Sequence, residues 1–326
     1  MRTILTVFVL ASLIAVLGCN GAADQRQLLS VDFQQNQTLR YKFTSGREIE
    51  VDWDPAKSAP KSSKGKIDKS SESVDMVVAY APVEIDPYGL TTVKATCESV
   101  KVRRHAPKGS QAAGKDAVES LKGKTFTFTV DPTGKITDYS QLDELIRDTG
   151  KKPFRTDSRR GRIKEPDMIG DFIATQWFLW DSVSSIEKPV EGIRVGQAWN
   201  SKLSVPVPMV MRKARDVTYT LDEIRPGKKG RLAVIGSSYS MSESVPPGWP
   251  VPYSGSFQMS GRFGFLKGYK VLDLQGGGQE LFNIDAGRTE KYDQQYRMQL
   301  EASLPMGIDV NPRLTIKQNL TMKILE

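Results

Sequence analysis

The residues that most often carry catalysis are scarce in this chain of 326 residues. It has one histidine, His105, and two cysteines, Cys19 and Cys97. His105 lies in the basic run KVRRHAPKG, so a Ser-His-Asp or Cys-His arrangement would have to take its general base from a solvated loop. A zinc site needs several histidine or cysteine ligands, which this composition does not supply. The sequence therefore favours a protein that is not an enzyme and that has no metal or other cofactor.

Carboxylates are plentiful, and acid–base chemistry needs only two of them. Asp143 and Glu144 are adjacent, whereas Asp167 and Asp171 lie four residues apart. Glycosidase pairs have no local sequence signature, which leaves a carboxylate-dependent hydrolase as an alternative function. Asp167 and Asp171 have a simpler interpretation, because acidic residues at the start of a predicted helix complement its dipole.

The glycine run Gly276-Gly277-Gly278 does not have the features of a phosphate-binding loop. No Lys-Ser/Thr follows it, and residues that alternate as in a β-strand flank it on both sides. We therefore predict that the run forms a hairpin turn.

Two loops are candidate contact surfaces. The basic loop 151–164 reads KKPFRTDSRRGRIK, and the proline-rich loop 244–255 presents two aromatic side chains on a backbone that its prolines rigidify. An ordinary surface loop is the alternative for each. The candidate contact residues are Lys151, Lys152, Arg155, Arg159, Arg160, Arg162, Trp249 and Tyr253.

The first residues of the chain have the form of an export signal. Arg2 precedes an apolar run from Ile4 to Leu17, which is short for a membrane-spanning helix and typical of a secretory signal peptide. We assign residues 1–18 to this signal. Small and polar residues follow in the stretch 19–30, which we interpret as a flexible tether.

The four residues Val16-Leu17-Gly18-Cys19 resemble the bacterial lipobox. This resemblance implies cleavage before Cys19, whose thiol would carry a lipid anchor of two or three acyl chains and hold the protein on a membrane. Asn20 stands where an aspartate tends to mark inner-membrane retention, so the resemblance favours the outer membrane over the inner. With the segment IRVGQAW and its alternating strands, the chain resembles the β-rich envelope lipoproteins of bacteria, a likeness that transfers no catalytic residue.

Alternating apolar residues predict a mainly β fold. Leu39, Tyr41 and Phe43 alternate on one side of Ser45-Gly46 and the pattern resumes beyond it, which predicts a hairpin there. The segment Asp86-Pro87-Tyr88-Gly89 predicts a type I turn, and the return strand places Cys97 in the core. In the last strand, the apolar face from Leu314 to Ile324 is interrupted only by Gln318.

The expected architecture is a curved antiparallel sheet or β-sandwich with a central helical insertion. Residues 31–326 form the envelope domain, with two similar halves, about 31–139 and 193–326, joined by a helical segment 140–192. Within that segment, Ile169, Phe172, Ile173, Trp177 and Trp180 have helical spacing, as in a helix that packs on the sheet or faces a membrane.

The leading functional hypothesis is a non-catalytic, membrane-anchored envelope lipoprotein that binds a partner protein or an amphiphilic ligand. The formal net charge of +8 favours anionic surroundings such as lipid headgroups, lipopolysaccharide or acidic glycans, and the export signal disfavours nucleic acid. A structural or polyanion-binding surface protein is therefore the second hypothesis, and the carboxylate-dependent hydrolase is the third.

Overall fold

The computed structural model describes residues 26–55, 67–105, 119, 121–132, 134, 136–138, 140–141, 192–204, 214–244, 267–304 and 310–325. These residues form β-strands joined by tight turns and a few irregular segments. The strands are β1 (Leu39–Asp52), β2 (Ile67–Ile85), β3 (Thr91–His105), β4 (Thr125–Val130), β5 (Ile136–Asp138), β6 (Ala198–Ser204), β7 (Ala214–Gly227), β8 (Gly230–Met241), β9 (Lys267–Asn283), β10 (Arg288–Ser303) and β11 (Arg313–Leu325).

All eleven strands lie in one sheet, in the order β5-β4-β3-β2-β1-β11-β10-β9-β8-β7-β6. The first and last strands, β1 and β11, pair antiparallel in its interior, with Ile49 opposite Ile316. The remaining strands follow outwards on either side as consecutive antiparallel neighbours. The expectation of a mainly β, antiparallel protein is thus confirmed, and the described residues form a single open sheet.

One face of the sheet is buried, which we call the inner face, and the opposite face is the outer face. Along β1 the odd-numbered residues from Leu39 to Val51 are buried, while the even-numbered ones are exposed or partly exposed. This period of two places apolar side chains on one face only. Three apolar clusters cover the inner face, represented by Phe43, Met76 and Phe128 in the first, Ile49, Met298 and Ile316 in the second, and Tyr219, Ile235 and Phe282 in the third.

The hairpin between β2 and β3 has the predicted turn. The Gly89 amide donates a hydrogen bond to the Asp86 carbonyl at 3.0 Å, and Gly89 has a φ of +84°. The Asp86 carboxylate accepts a second bond from the Leu90 amide at 2.7 Å. On the return strand Cys97 is buried, as predicted.

Two predicted hairpins are wrong, because glycine lies inside a strand in both cases. Ser45 and Gly46 belong to the uninterrupted strand β1, and the run Gly276-Gly277-Gly278 lies in the middle of β9. A Cβ at Gly276 would come 2.4 Å from the Gln295 carbonyl oxygen, and one at Gly278 equally close to the Asp293 carbonyl oxygen. The run is therefore needed for the close approach of β9 and β10, and not for a turn.

The last residues of the predicted tether pack against the sheet. Gln27 and Ile193 exchange two backbone hydrogen bonds of 2.7 and 2.9 Å, and Leu29 is only 1% exposed. The Asp32 amide donates to the Gly287 carbonyl at 2.9 Å. The predicted helical segment 140–192 lies almost entirely outside the described residues, which include only Ser140, Gln141 and Gly192 of it.

Candidate functional site

Most of the residues singled out from the sequence lie outside the part of the chain that the structure describes. This holds for Cys19, for both carboxylate pairs and for the whole candidate contact set Lys151, Lys152, Arg155, Arg159, Arg160, Arg162, Trp249 and Tyr253. His105 is described, and it is an exposed residue at the end of β3.

The environment of Cys97 matches that of a core cysteine. Its Sγ lies 3.7 Å from the Ser99 carbonyl oxygen, to which it can donate a weak hydrogen bond. Burial, followed by the charge of Glu98, raises the pKa of the thiol to about 11. A thiol with this pKa is protonated at neutral pH and is a poor nucleophile.

Within the described ranges, no three or more His, Cys, Asp or Glu side chains come together as a metal site would require. The same ranges hold no helix whose length and apolar character would let it cross a membrane.

The most unusual feature of the inner face is a set of polar side chains. They occupy inward-facing positions of the strands, where apolar residues are expected. We call this set the polar belt. It runs across the four neighbouring strands β10, β11, β1 and β2. In one cross-strand row, Tyr296 pairs with Gln318, Gln318 with Arg47, and Arg47 with Glu72. Its members are Ser45, Arg47, Glu72, Gln294, Tyr296 and Gln318.

An ion pair forms one end of the belt. The Arg47 guanidinium donates to Glu72 Oε2 from Nε at 3.0 Å and from Nη2 at 2.6 Å. The two side chains are only 1% and 10% exposed. Removing either partner would leave a buried charge without its counter-charge, which is among the more costly changes in a protein interior.

A chain of hydrogen bonds continues the belt. The Tyr296 hydroxyl donates to the side-chain carbonyl of Gln318, and Gln318 Nε2 donates to the Ser45 hydroxyl at 3.0 Å. All three residues are at most 5% exposed. This part of the belt is therefore internally satisfied.

Gln294 differs from the other members of the belt. It is 5% exposed, and neither its amide nitrogen nor its amide oxygen has a hydrogen-bond partner among the described residues. Its cross-strand neighbours are Gly278 and Leu320, and next to Gly278 stands the small Ser237. The Tyr239 side chain also reaches this region, since its hydroxyl lies 3.1 Å from that of Ser237 and 2.6 Å from that of Tyr292. A primary amide such as that of Gln294 can both donate to and accept from a bound polar group.

Apolar side chains lie on both sides of the belt along the strands. On β1 the belt residues stand between Phe43 and Ile49, and on β11 Gln318 stands between Ile316 and Leu320. All of these apolar residues are buried. The inner face therefore alternates between apolar and polar zones along the strand direction.

Further buried polar contacts lie where the first and third clusters meet. The hydroxyls of Tyr239 and Tyr292 are 2.6 Å apart, and the Arg215 guanidinium lies 4.3 Å from the centre of the Tyr239 ring. Burial, with the neighbouring Tyr239 next, raises the pKa of Tyr292 well above its usual value. At neutral pH this hydroxyl is therefore a hydrogen-bonding group.

A small cavity of about 20 Å³ lies where the segment 26–33 meets the sheet. Phe33, Tyr41, Tyr80 and Met322 form its apolar wall, and Arg288 borders it. The Tyr41 hydroxyl donates to the Thr289 carbonyl at 2.9 Å. This volume is sufficient for about one water molecule.

Comparisons with known proteins returned a weak structural similarity and no match in sequence. No protein-family model matches the sequence, and the search of curated proteins returned no match. Among solved structures, the chain is similar to one described as lipid-protein interactions in lipovitellin, at 9% identity and a TM-score of 0.45. The match covers 90% of this chain and 26% of the lipovitellin chain, so the protein spans about a quarter of the length of that neighbour.

Proposed function

We propose that this protein is a non-catalytic, membrane-anchored envelope lipoprotein that binds an amphiphilic molecule on its inner face. The observation that carries this proposal is the Gln294 amide, which has no hydrogen-bond partner within the described part of the chain and belongs to a polar belt with apolar zones on both sides. An acyl chain matches the apolar zones, and a polar group of the same molecule matches the belt.

The chemistry of the belt favours an uncharged polar group. Its two charged residues, Arg47 and Glu72, neutralise each other in a short ion pair. Tyr296, Gln318 and Ser45 bond to one another, which leaves the Gln294 amide to meet the ligand. An amide offers both a donor and an acceptor, which suits a hydroxyl, ester or amide group in the ligand.

The anchor is the second part of the proposal. It rests on the lipobox-like residues Val16–Cys19, with acylation at Cys19 and attachment to the outer membrane in preference to the inner. A protein held at the membrane surface in this way is close to a supply of amphiphiles, which supports the proposed binding role.

Native mass spectrometry of protein extracted without added lipid tests the binding role. We expect the wild-type protein to carry an additional mass consistent with one amphiphile. The variant Gln294→Leu should lose roughly tenfold in affinity for it, because the polar group of the ligand would be buried without a partner. The same variant should be as stable as the wild type or more stable, because an unsatisfied buried amide has been removed.

Gln295→Leu is the matched control, because it makes the same change one residue away on the outer face. It should leave the bound amphiphile unchanged. The proposal would be contradicted by wild-type protein free of any amphiphile, or by equal effects of the two substitutions on binding.

A further inference from the structure

The outer face carries a groove that the proposed function does not use. It has a volume of about 750 Å³, within the range of small-molecule and oligosaccharide sites. Outward-facing residues of the six neighbouring strands β9, β10, β11, β1, β2 and β3 border it, among them Gln295, Arg297, Lys317, Asn319, Arg103 and His105.

Small and uncharged residues form the floor of the groove. One cross-strand row places Gly277 opposite Gln295, Gln295 opposite Asn319, and Asn319 opposite Gly46. Ser73 continues the same row on β2. Because glycine and serine leave space above the sheet, the longer side chains around them create a depression with amide groups in it.

The neighbouring row brings cations into the groove. Arg297 and Lys317 stand directly opposite each other on β10 and β11, and neither forms an ion pair with another described residue. Like charges that stand directly opposite each other destabilise a sheet, whereas an opposite charge beside them is favourable. Glu48 of β1 stands opposite Lys317 on its other side, so the cation that faces away from any acidic neighbour is Arg297. Arg103, also in the groove, lies 3.6 Å from Asp75.

We propose that this groove binds a linear acidic glycan. A carboxylate or sulfate of the sugar chain would lie between Arg297 and Lys317, where it satisfies both cations. The amides of Gln275, Gln295 and Asn319 provide donors and acceptors for sugar hydroxyls. This site lies on the face opposite the polar belt, so it is a second binding function that can succeed or fail independently of the first.

The composition of the groove favours a glycan over a single-stranded nucleic acid. Proteins that bind single strands stack bases on exposed aromatic rings. Of the Phe, Tyr and Trp residues that the structure describes, Tyr296 borders the groove, and it is only 5% exposed because its side chain belongs to the inner face. The amide and hydroxyl groups of the groove suit sugar hydroxyls instead.

Calorimetric titration of the full protein with oligogalacturonate, an acidic probe, and with a neutral glucan of equal length tests this proposal. We expect binding of the acidic probe alone, weakening as salt is raised. The double variant Arg297→Gln/Lys317→Gln should bind the acidic probe roughly tenfold more weakly. The control Lys42→Gln/Lys323→Gln removes two cations that also face each other on neighbouring strands of the outer face but lie outside the groove.

The control variant should retain wild-type affinity. Equal losses in the two double variants would overturn the proposal, since they would show attraction by the overall positive charge alone. So would the absence of wild-type binding, or binding of a single-stranded oligonucleotide as tight as that of the oligogalacturonate.

Discussion

The ion pair between Arg47 and Glu72 gives the sharpest prediction for stability. In Glu72→Leu, the Arg47 guanidinium stays on the inner face with a side chain that is 1% exposed, and it loses the carboxylate that accepts its bonds of 3.0 and 2.6 Å. Breaking a buried pair by removing one partner costs about 3–5 kcal/mol. For a chain of this size that corresponds to a fall in melting temperature of roughly 6–20 °C.

The double variant Arg47→Met/Glu72→Leu should recover most of this loss. Apolar side chains of similar volume avoid the desolvation cost of both charges, so replacing a buried pair as a whole is often neutral or stabilising. Thermal and denaturant unfolding of the two single variants and the double variant would give the coupling free energy between the residues.

The exposed pair Arg40–Glu98 is the control for this experiment. It has comparable geometry, with Arg40 Nη2 2.5 Å from Glu98 Oε2, but its side chains are 49% and 34% exposed. Glu98→Leu should therefore change the melting temperature little. The reasoning would be refuted if Glu72→Leu were no more destabilising than Glu98→Leu, or if the double variant were as unstable as the single ones.

Glycine packing, the ionisation of buried groups and acylation each give a further prediction. Gly278→Ala should destabilise the protein by about 1–3 kcal/mol, because the new Cβ would collide with a backbone carbonyl oxygen. Gly46→Ala should leave the stability unchanged, because nothing lies within 4 Å of the new Cβ. Urea unfolding of the two variants tests this difference. Burial raises the pKa of Cys97 to about 11 and that of Tyr41 above its ordinary 10.0, so both groups lose their protons at lower pH in the unfolded chain than in the folded one. The free energy of unfolding should therefore fall as the pH rises above about 9. A free energy of unfolding that stays constant in this range would contradict the prediction. Cys19→Ser should abolish acyl labelling and release the protein from membranes, and persistent labelling would disprove lipidation at this residue.

The local strand pattern could be predicted from the sequence, because one-sided burial leaves a clear period of two. The turn at Asp86–Gly89 and the core position of Cys97 were predicted correctly on this basis. The pairing of β1 with β11 could not be predicted, since no local pattern specifies which distant strand a given strand joins. The hairpin turns predicted at Gly46 and Gly276–Gly278 were wrong, because glycine also occurs inside strands, for example where another backbone approaches closely.

The polar belt left a visible but ambiguous signal in the sequence. Gln318 interrupts the apolar face of the last strand, and Arg47 has the same parity as Phe43 and Ile49. A polar residue at a core position can mark either a functional group or a break in the strand. The distinction requires the register, which places Gln318 opposite both Arg47 and Tyr296.

Photo-crosslinking with a diazirine-labelled fatty acyl amphiphile, followed by peptide mapping, tests the proposed binding role most directly. If the inner face is the binding surface, adducts should fall on inward-facing residues beside the polar belt, such as Phe43, Ile49, Met298 and Ile316. Gln294→Leu should reduce their yield while Gln295→Leu does not. Absence of adducts, or adducts confined to outward-facing residues, would contradict the account.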